Sequence, residues 1–319
     1  MRLYQLQLRV TSPFVHAWQA DTIFGGLCWS LRDLEGEETL AALLREQRSE
    51  SPPVVISNGF PGDLLPRPIL PLMVSEEHSD DFKLYRKIRW LRLQEFNDLR
   101  MGLPFEQAVT SDLEASWREK AWTAQVEYHN AISRDTDTVL LENGLYPEEE
   151  FTPLEDFGDR ISIYAYLHDD WKDRILRALE VLGRAGLGGE KSKGKGGFTV
   201  EKVAPFEGFP QPPSPGGVVV LSDFVAHNTD PQMGYWLVKT KYAKLGGVYS
   251  SSGSPFKRPF LTLEAGSCFV TPTPRHFYGR MVERLVPSRP EVLQYGLGLA
   301  LAVDGNCFKV RLLKSPHTL

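Results

Sequence analysis

The sequence contains few cysteines and no long apolar run. Its 319 residues include three cysteines, Cys28, Cys268 and Cys307, which are far apart and form no C-x-x-C pair. Their number and spacing fit neither a disulfide framework nor a cysteine-based metal site, and they favour a reducing compartment. No stretch approaches the ~18 apolar residues of a membrane span, and the N-terminal MRLYQLQLRV lacks the continuous apolar core of a signal peptide. We therefore expect a soluble, cytoplasmic protein without a membrane partner.

The common motifs of catalysis and of metal binding are also missing. No G-x-S-x-G element or Ser/His/Asp set stands out. The His-Asp pair in LHDD (167–170) has no partner histidines at ligand spacing, and its acids fall at a predicted helix start, where Asp caps free N–H groups. We therefore expect no metal and no cofactor.

A glycine-rich stretch, GRAGLGGEKSKGKGGF (183–198), does not match a nucleotide-binding motif. A P-loop places Lys directly after Gly, whereas Glu190 separates Gly189 from Lys191. A P-loop also opens a helix, whose N-terminal amides bind phosphate, whereas this stretch follows a predicted helix. GLGGEK likewise lacks the last glycine of G-x-G-x-x-G, so a nucleotide cradle is excluded.

Charge is distributed unevenly, although the net charge is only −5. Residues 148–159 carry six acids and no base, whereas residues 83–92 and 239–258 each carry five bases and no acid. Such a mosaic fits a subunit that contacts a polyanion on one face and protein or solvent on another. For each of these charged segments taken alone, the alternative is an ordinary solvent-exposed surface without a binding partner.

Hydrophobic periodicity predicts an α+β fold with two domains. A strand in LYQLQLRV precedes a helix from about residue 20 with Asp21 as N-cap, and RISIYAYLHD (160–169) precedes a helix that ends at Gly183. Other predicted elements are a basic helix at 83–98, a strand at 122–128, a loop or hairpin at 132–151 and a strand at 198–203. The predicted domains are 1–205, with a long insertion at about 50–155, and a β-rich 218–319, joined by a Pro/Gly-rich linker at 206–217.

The glycine-rich stretch has the composition of a loop that follows a sugar–phosphate backbone. Its sixteen residues include seven glycines and three lysines, with Lys191, Lys193 and Lys195 at alternate positions. Glycine permits close backbone approach to phosphates, successive amides can form an anion-binding concavity, and lysine adds attraction independent of sequence. A surface loop without a ligand is the alternative.

Five segments together resemble the RAMP proteins of CRISPR interference complexes, and among them the fourth-subunit group of type III-A (Csm) complexes, which holds the crRNA 5′ handle. One is the glycine-rich stretch, between the last helix and last strand of a predicted unit. The other four are ADTIFGGLCWSL (20–31), HNAISRDTDTVLLENGLY (129–146), YSSSGSPFKRPFLTLEAGSCF (249–269) and VLQYGLGLALAV (292–303). Cys28 and Trp29 make the first helix bulkier than the resemblance implies, and Glu190 places an acid inside the loop.

The resemblance implies two ferredoxin-like (RRM-like) domains with antiparallel sheets, insertions and a glycine-rich loop. It implies a non-catalytic subunit that binds the crRNA 5′ handle, caps the complex and docks the large polymerase-like Cas subunit and a backbone RAMP subunit. The positions that it assigns to RNA binding are Gly188, Gly189, Lys191, Ser192, Lys193, Gly194, Lys195, His16, Arg134, Ser251, Ser252, Lys257 and Arg258.

Three alternatives stay open from the sequence. Some RAMP proteins cleave crRNA precursors without metal, and His16, just after the first strand, is the candidate acid or base. The chain could instead be a protein scaffold whose loop has lost RNA binding, or the counterpart subunit of a type III-B complex. The basic segment 83–92 could offer Tyr85 and Trp90 for base stacking, or it could form a helix that buries Leu84, Ile88 and Leu91 and turns its bases outward.

Overall fold

A computed structural model describes residues 1–72, 75, 80–133, 135–139, 144–247, 249 and 255–309. Within them the helices are α1 (Ala20–Glu35), α2 (Glu37–Glu46), α3 (Phe82–Lys87), α4 (Leu93–Arg100), α5 (Phe105–Ala108) and α6 (Asp169–Ala185). The strands up to α6 are β1 (Arg2–Val10), β2 (Val54–Ile56), β3 (Phe60–Pro61), β4 (Leu65–Pro66), β5 (Trp90–Leu91), β6 (Trp122–Asn130), β7 (Leu145–Pro153) and β8 (Arg160–Leu167). The strands after α6 are β9 (Phe198–Pro205), β10 (Pro215–Val220), β11 (Gly234–Tyr235), β12 (Val238–Lys241), β13 (Phe260–Leu263), β14 (Cys268–Val270), β15 (Phe277–Gly279) and β16 (Leu297–Asp304). No helix in this described part of the chain has both the length and the apolar character needed to cross a bilayer.

The N-terminal half forms an antiparallel sheet with strand order β2-β8-β1-β9, and β3 also pairs with β8. β1 confirms the predicted alternation, because Leu6, Leu8 and Val10 are buried while their neighbours are more exposed. With α1 after β1 and α6 after β8, the order along the chain is βαββαβ. The predicted strands at 160–169 and 198–203 are confirmed as β8 and β9.

Helices α1 and α6 pack closely against each other above this sheet. A Cβ atom on Gly26 of α1 would lie 2.7 Å from Leu182 Cδ1 of α6, so a larger residue there would displace the Leu182 side chain. Two predicted helix ends are wrong. Asp21 is not the N-cap, because α1 begins at Ala20 and the Asp21 carboxylate instead pairs with Lys241. Gly183 does not end α6, which continues to Ala185 and is capped by Gly186, whose φ of 83° suits glycine; Gly183 instead packs against Phe198 of β9.

The predicted basic helix at 83–98 is wrong, because the segment forms α3, β5 and α4 instead. Ile88 takes an extended conformation after α3, and Trp90–Leu91 then pairs with Leu65–Pro66. Ile88 and Leu91 are buried, as the alternative for this segment expected, and Leu84 is half-buried; Tyr85, the stacking candidate, is buried as well. Tertiary pairing therefore overrides the local helical period. The predicted strand at 122–128 is confirmed as β6, which forms an antiparallel hairpin with β7.

The C-terminal half forms a second antiparallel sheet with strand order β11-β14-β10-β16-β15. No α-helix follows α6 among the described residues, so a second ferredoxin-like domain stays a prediction. The two sheets share one apolar core. The Ile56 amide donates to the Tyr295 hydroxyl over 3.0 Å, and the Ser222 hydroxyl donates to the Ile56 carbonyl over 2.7 Å, which joins β2 to the C-terminal half.

The segment predicted as a linker, 206–217, packs against the N-terminal half. Phe206 and Phe209 each lie 5.0 Å from the Tyr164 ring, centroid to centroid. Buried Arg100 donates to the Pro210 carbonyl over 2.9 Å, and burial lowers its pKa to about 10. The segment is therefore held in place, while the predicted domain boundaries themselves stay predictions.

Candidate nucleic-acid interface

The glycine-rich loop connects α6 to β9 and closes upon itself at its base. The Leu187 amide donates to the Gly196 carbonyl over 2.8 Å, and buried Leu187 anchors the loop in the core. A Cβ atom on Gly196 would lie 2.1 Å from the Leu187 carbonyl oxygen, so only glycine fits there. The Gly196 amide also donates to the Pro13 carbonyl over 2.8 Å, which fixes the loop against the segment after β1.

The tip of the loop is a short 3₁₀ turn, Lys191–Lys193, between two residues in the left-handed conformation, Glu190 and Gly194. The amides of Lys193 and Gly194 donate to the Glu190 and Lys191 carbonyls over 2.9 Å each, so these two amides are satisfied inside the turn. Lys191 and Ser192 are exposed. Gly188 and Gly194 lie on the open side, with no atom within 4 Å of the position that a Cβ would occupy.

Lys195 is held by two carboxylates of the β6–β7 hairpin. Its ammonium lies 2.7 Å from a Glu127 oxygen and also pairs with Glu150, and its side chain is only 13% exposed. Burial lowers the pKa of Lys195, but the bonds to Glu127 and Glu150 outweigh it, so the pKa is raised overall. The same bond to Lys195 lowers the pKa of Glu127.

Lys193 is held by the same hairpin and by its own loop. Its ammonium lies 2.9 Å from Glu190 and 3.3 Å from Glu148, and it donates to the Tyr146 hydroxyl over 3.3 Å. These bonds, with that to Glu190 the largest contribution, raise the pKa of Lys193. Lys191 forms no ion pair with any residue in the described ranges, and so it is the most available of the three loop cations.

Alternation along the hairpin explains why its acids meet the lysines. Cross-strand pairs Gln125–Glu150, Glu127–Glu148 and His129–Tyr146 lie on one face of the β6–β7 ribbon, which we call the acidic hairpin face. His129 Nε2 lies 3.1 Å from a Glu148 oxygen on this face. The acidic run was visible in the sequence, but its pairing with the loop was missed. The available signal was the i, i+2 spacing of Glu148 and Glu150 on β7.

The acidic hairpin face also brings together a set of metal-ligand types. Ligand atoms of Glu127, His129 and Glu150 all lie within 4.8 Å of one another. The Lys195 ammonium already contacts both carboxylates and supplies the cation that this cluster needs. The arrangement is therefore accounted for as an ion-pair cluster, and we assign no metal to it.

His16 lies beside the glycine-rich loop, while its contact with RNA stays a prediction. A Cβ atom on Gly189 would lie 3.7 Å from the His16 ring, which is exposed. The two residues line a cleft of about 500 Å³ whose other walls include Glu148, Glu149 and Glu190. In this conformation the cleft carries mainly negative charge, which repels phosphate.

The basic segment 239–258 occupies a different environment. Lys257 donates to Gln294 Oε1 over 2.7 Å, and burial lowers the pKa of Lys257. Gln294 in turn donates to Asp21 over 2.7 Å, so Lys257 belongs to the polar junction of α1 with the C-terminal half. Arg258 is exposed and its amide donates to the Leu285 carbonyl over 2.9 Å. Arg134, Ser251 and Ser252 lie outside the described residues.

Neither a protein-family model nor a curated protein sequence matches this chain. Solved structures do match. A chain in the crystal structure of a Csm1–Csm4 cassette in complex with cA4 is 18% identical, with a TM-score of 0.62, over 95% of this chain and 98% of that one. A chain in the Csm3–Csm4 subcomplex of the type III-A CRISPR-Cas interference complex is 14% identical, with a TM-score of 0.62, over 95% and 100%.

Csm4 is the subunit common to these structures, and it is the chain matched in each. This chain has the Csm4 fold. A second Csm1–Csm4 cassette, in complex with pppApApA, agrees at 18% identity and a TM-score of 0.58 over 95% of this chain and 98% of that one. The resemblance to a Csm4-like RAMP that the five sequence segments predicted is therefore confirmed at the level of the fold.

Proposed function

We propose that this chain is a non-catalytic, crRNA-binding subunit of a type III-A (Csm) CRISPR interference complex. It binds the 5′ handle of the crRNA, caps that end of the complex, and docks the large polymerase-like subunit and a backbone RAMP subunit. The observation that supports this most is the Csm4 fold, which extends over 95% of this chain and nearly all of the Csm4 chains. The cytoplasm is the compartment expected for such a subunit.

The glycine-rich loop is the proposed handle contact. Lys191 and Ser192 are exposed at its tip, and Gly188 and Gly194 leave room for a phosphate chain to approach the backbone. Lys193 and Lys195 bind RNA only after exchanging hairpin carboxylates for phosphates, because both ammonium groups are already paired. Recognition is then mainly by shape and phosphate contacts, with handle bases held against the sheet.

Salt dependence of handle binding tests the loop. Each lysine–phosphate contact on single-stranded RNA contributes about 0.7 to the slope of log K against log salt. We expect Lys191→Ala to reduce both affinity and slope for a labelled handle RNA, and Lys191→Ala/Lys193→Ala/Lys195→Ala to reduce the slope further. Arg48→Ala, which removes an exposed cation outside the loop, is the matched control. An unchanged slope in the triple variant contradicts loop binding and favours the scaffold alternative.

Copurification tests membership of the complex. The tagged chain, expressed with Csm-type subunits and a repeat-spacer transcript, should copurify with crRNA, and its loop should crosslink to the 5′ handle. Copurification with type III-B subunits instead supports the III-B alternative. Failure to recover either crRNA or other subunits contradicts the proposal.

A metal-independent crRNA endoribonuclease is the second candidate, because exposed His16 lies beside Gly189 of the loop. A histidine at the phosphate chain is positioned for general acid or base chemistry. The acids Glu148, Glu149 and Glu190 that surround it argue against phosphate entry into that cleft. Incubation of the protein with a repeat-containing RNA in the presence of EDTA distinguishes the two functions. Site-specific cleavage that is abolished by His16→Ala would establish the nuclease and overturn the non-catalytic function.

A further inference from the structure

His129 of β6 lies on the acidic hairpin face, between two of the carboxylates that hold the loop lysines. Its Nε2 atom lies 3.1 Å from Glu148 Oε2 and 3.7 Å from Glu127 Oε2. This nitrogen is buried, and the whole side chain is only 19% exposed. The charge of the ring therefore acts mainly on these two carboxylates and is little screened by water.

The same two oxygen atoms also bind the lysines of the glycine-rich loop. Lys193 Nζ lies 3.3 Å from Glu148 Oε2, and Lys195 Nζ lies 2.7 Å from Glu127 Oε2. Each oxygen is thus shared between a lysine of the loop and the His129 ring of the hairpin. A protonated ring therefore competes with both lysines for the same acceptors.

The charges around His129 come from β6, from β7 and from the loop. The acids and bases of this cluster, with the phenol beside the ring, are Glu127, Glu148, Glu150, Glu190, Lys193, Lys195 and Tyr146. Across the cleft, His16 also faces Glu148. Four carboxylates thus meet two ammonium groups, and the excess of negative charge grows when phosphates take the lysines away.

We propose that His129 takes up a proton from solvent when the loop lysines bind RNA phosphates, so that acidic pH favours binding of the crRNA handle. Histidine is the side chain whose charge changes between about pH 5 and 8. The imidazolium takes the place of the two lysines beside both carboxylates, which lowers the electrostatic cost of releasing them. By linkage, protonation of His129 favours release of the lysines to the same extent as their release favours protonation.

His129 is in this way a positioning residue, which acts through the lysines without contacting RNA itself. The inference rests on the proposed binding of the handle by the loop. It predicts a dependence on pH that belongs to one histidine and that requires Lys193 and Lys195.

The pH dependence of handle-RNA binding tests the inference. Fluorescence anisotropy of the full chain at about pH 8 and about pH 6 should show roughly fivefold or more tighter binding at the lower pH, as for a typical coupling between two sites. His129→Gln, whose amide does not titrate, should remove this dependence. His227→Gln, the same change at an exposed histidine of the C-terminal half, should leave it unchanged. Equal affinity of the unmodified chain at both pH values overturns the inference, as does a pH dependence that persists in His129→Gln.

A lysine variant distinguishes action through the loop from direct attraction between histidine and RNA. Lys193→Ala/Lys195→Ala should bind the handle more weakly and lose the pH dependence although His129 is intact, because no lysine is left to release. Full pH dependence in this variant contradicts the positioning role. Loss of the pH dependence in His16→Gln also contradicts it, because exposed His16 is then the group that titrates.

A titration of the free chain tests the contact without RNA. The carboxyl ¹³C resonances of Glu127 and Glu148 should shift together with protonation of the His129 ring, and His129→Gln should remove these shifts. Their absence in the unmodified chain overturns the inference. If the chain binds no handle RNA at either pH, the proposed function fails and this inference fails with it. If RNA binds with an affinity that does not depend on pH, only the role of His129 fails.

Discussion

Arg118 and Glu95 form a buried ion pair in the insertion, with side chains only 2% and 10% exposed. Arg118 Nη1 and Nη2 donate to the two Glu95 oxygens over 2.6 and 2.5 Å, and the guanidinium lies 4.2 Å above the Trp117 ring. Because Glu95→Ala leaves a buried guanidinium without its carboxylate, we expect a loss of ~3–5 kcal/mol in the free energy of unfolding. Denaturant titration of the full chain measures it.

An exposed pair provides the control for this prediction. Arg177 is 63% exposed and lies 2.9 Å from Glu35. Arg177→Ala should cost less than ~1 kcal/mol, because exposed pairs are screened by solvent. If Glu95→Ala lowers the free energy of unfolding no more than Arg177→Ala does, the buried pair does not give the insertion the stability that its geometry predicts.

The pKa of Glu127 reports directly on the contact between the loop and the hairpin. It is lowered, with the bond to Lys195 the largest cause, so its stabilisation is present above the unfolded-state value of about 4.3 and is lost as pH falls through the lower folded value. Lys195→Met should raise the pKa of Glu127 toward its ordinary value, measured from the pH titration of its carboxyl ¹³C resonance. A titration curve identical in both proteins would show that the ion pair is absent in solution.

At the scale of elements, the proposed RNA binding would make the β6–β7 hairpin a competitor of phosphate for Lys193 and Lys195, because its carboxylates already pair with both. Glu127→Gln/Glu148→Gln/Glu150→Gln removes both carboxylates that hold Lys195 and one of the two that hold Lys193, which stays paired with Glu190. We expect tighter binding of handle RNA and a salt slope steeper by up to roughly 0.7, the contribution of the one lysine that loses both of its carboxylates. Fluorescence anisotropy at several salt concentrations measures both.

A variant in the same acidic run distinguishes the effect of the lysine–carboxylate ion pairs on RNA binding from the effect of net charge. Glu155 is exposed in the 3₁₀ turn after β7, away from the acidic hairpin face. Glu155→Gln should change the slope little. If it raises RNA affinity as much as the triple variant does per charge removed, the effect is one of net charge and the competitor role of the hairpin is wrong.

Elements whose pattern is local were predictable from the sequence, and those set by partners distant in sequence were not. The alternation in β1 and the amphipathic period of α6 are properties of their own residues, and both elements were found. The helix expected at 83–98 failed because Trp90 pairs with Pro66, more than twenty residues earlier. Asp21 was expected to cap α1 because its partner Lys241 is remote in sequence.

The same limit applied to the candidate site. Composition and the order helix–loop–strand identified the glycine-rich loop, and the RAMP resemblance predicted the fold. Neither showed that Lys193 and Lys195 bind Glu148 and Glu150, because those acids belong to a hairpin about 45 residues earlier in the chain. Isolated lysines in a glycine loop therefore indicate a polyanion site, and only the assembled fold shows which of them are free.

At the scale of the whole molecule, the two sheets depend on one shared core. Ile56 is bonded to Tyr295 and Ser222, and Phe206 and Phe209 beyond β9 cover Tyr164. A fragment of residues 1–205 lacks all of these partners and exposes the buried face of β2 and β8. Because that loss removes a large apolar area, we expect the fragment to bind a hydrophobic dye and to unfold without a cooperative transition, while the full chain unfolds in one transition.

A longer fragment separates the contribution of Phe206 and Phe209 to stability from the contribution of the C-terminal sheet. Residues 1–214 restore Phe206 and Phe209 but not Tyr295 or Ser222, so we expect partial loss of dye binding without a full cooperative transition. Circular dichroism melts and dye fluorescence, recorded for the two fragments and the full chain at equal concentration, measure how cooperatively each unfolds and how much apolar surface each exposes. A cooperative melt of residues 1–205 at the temperature of the full chain would mean that the N-terminal half is an independent domain, and that the shared core contributes little to its stability.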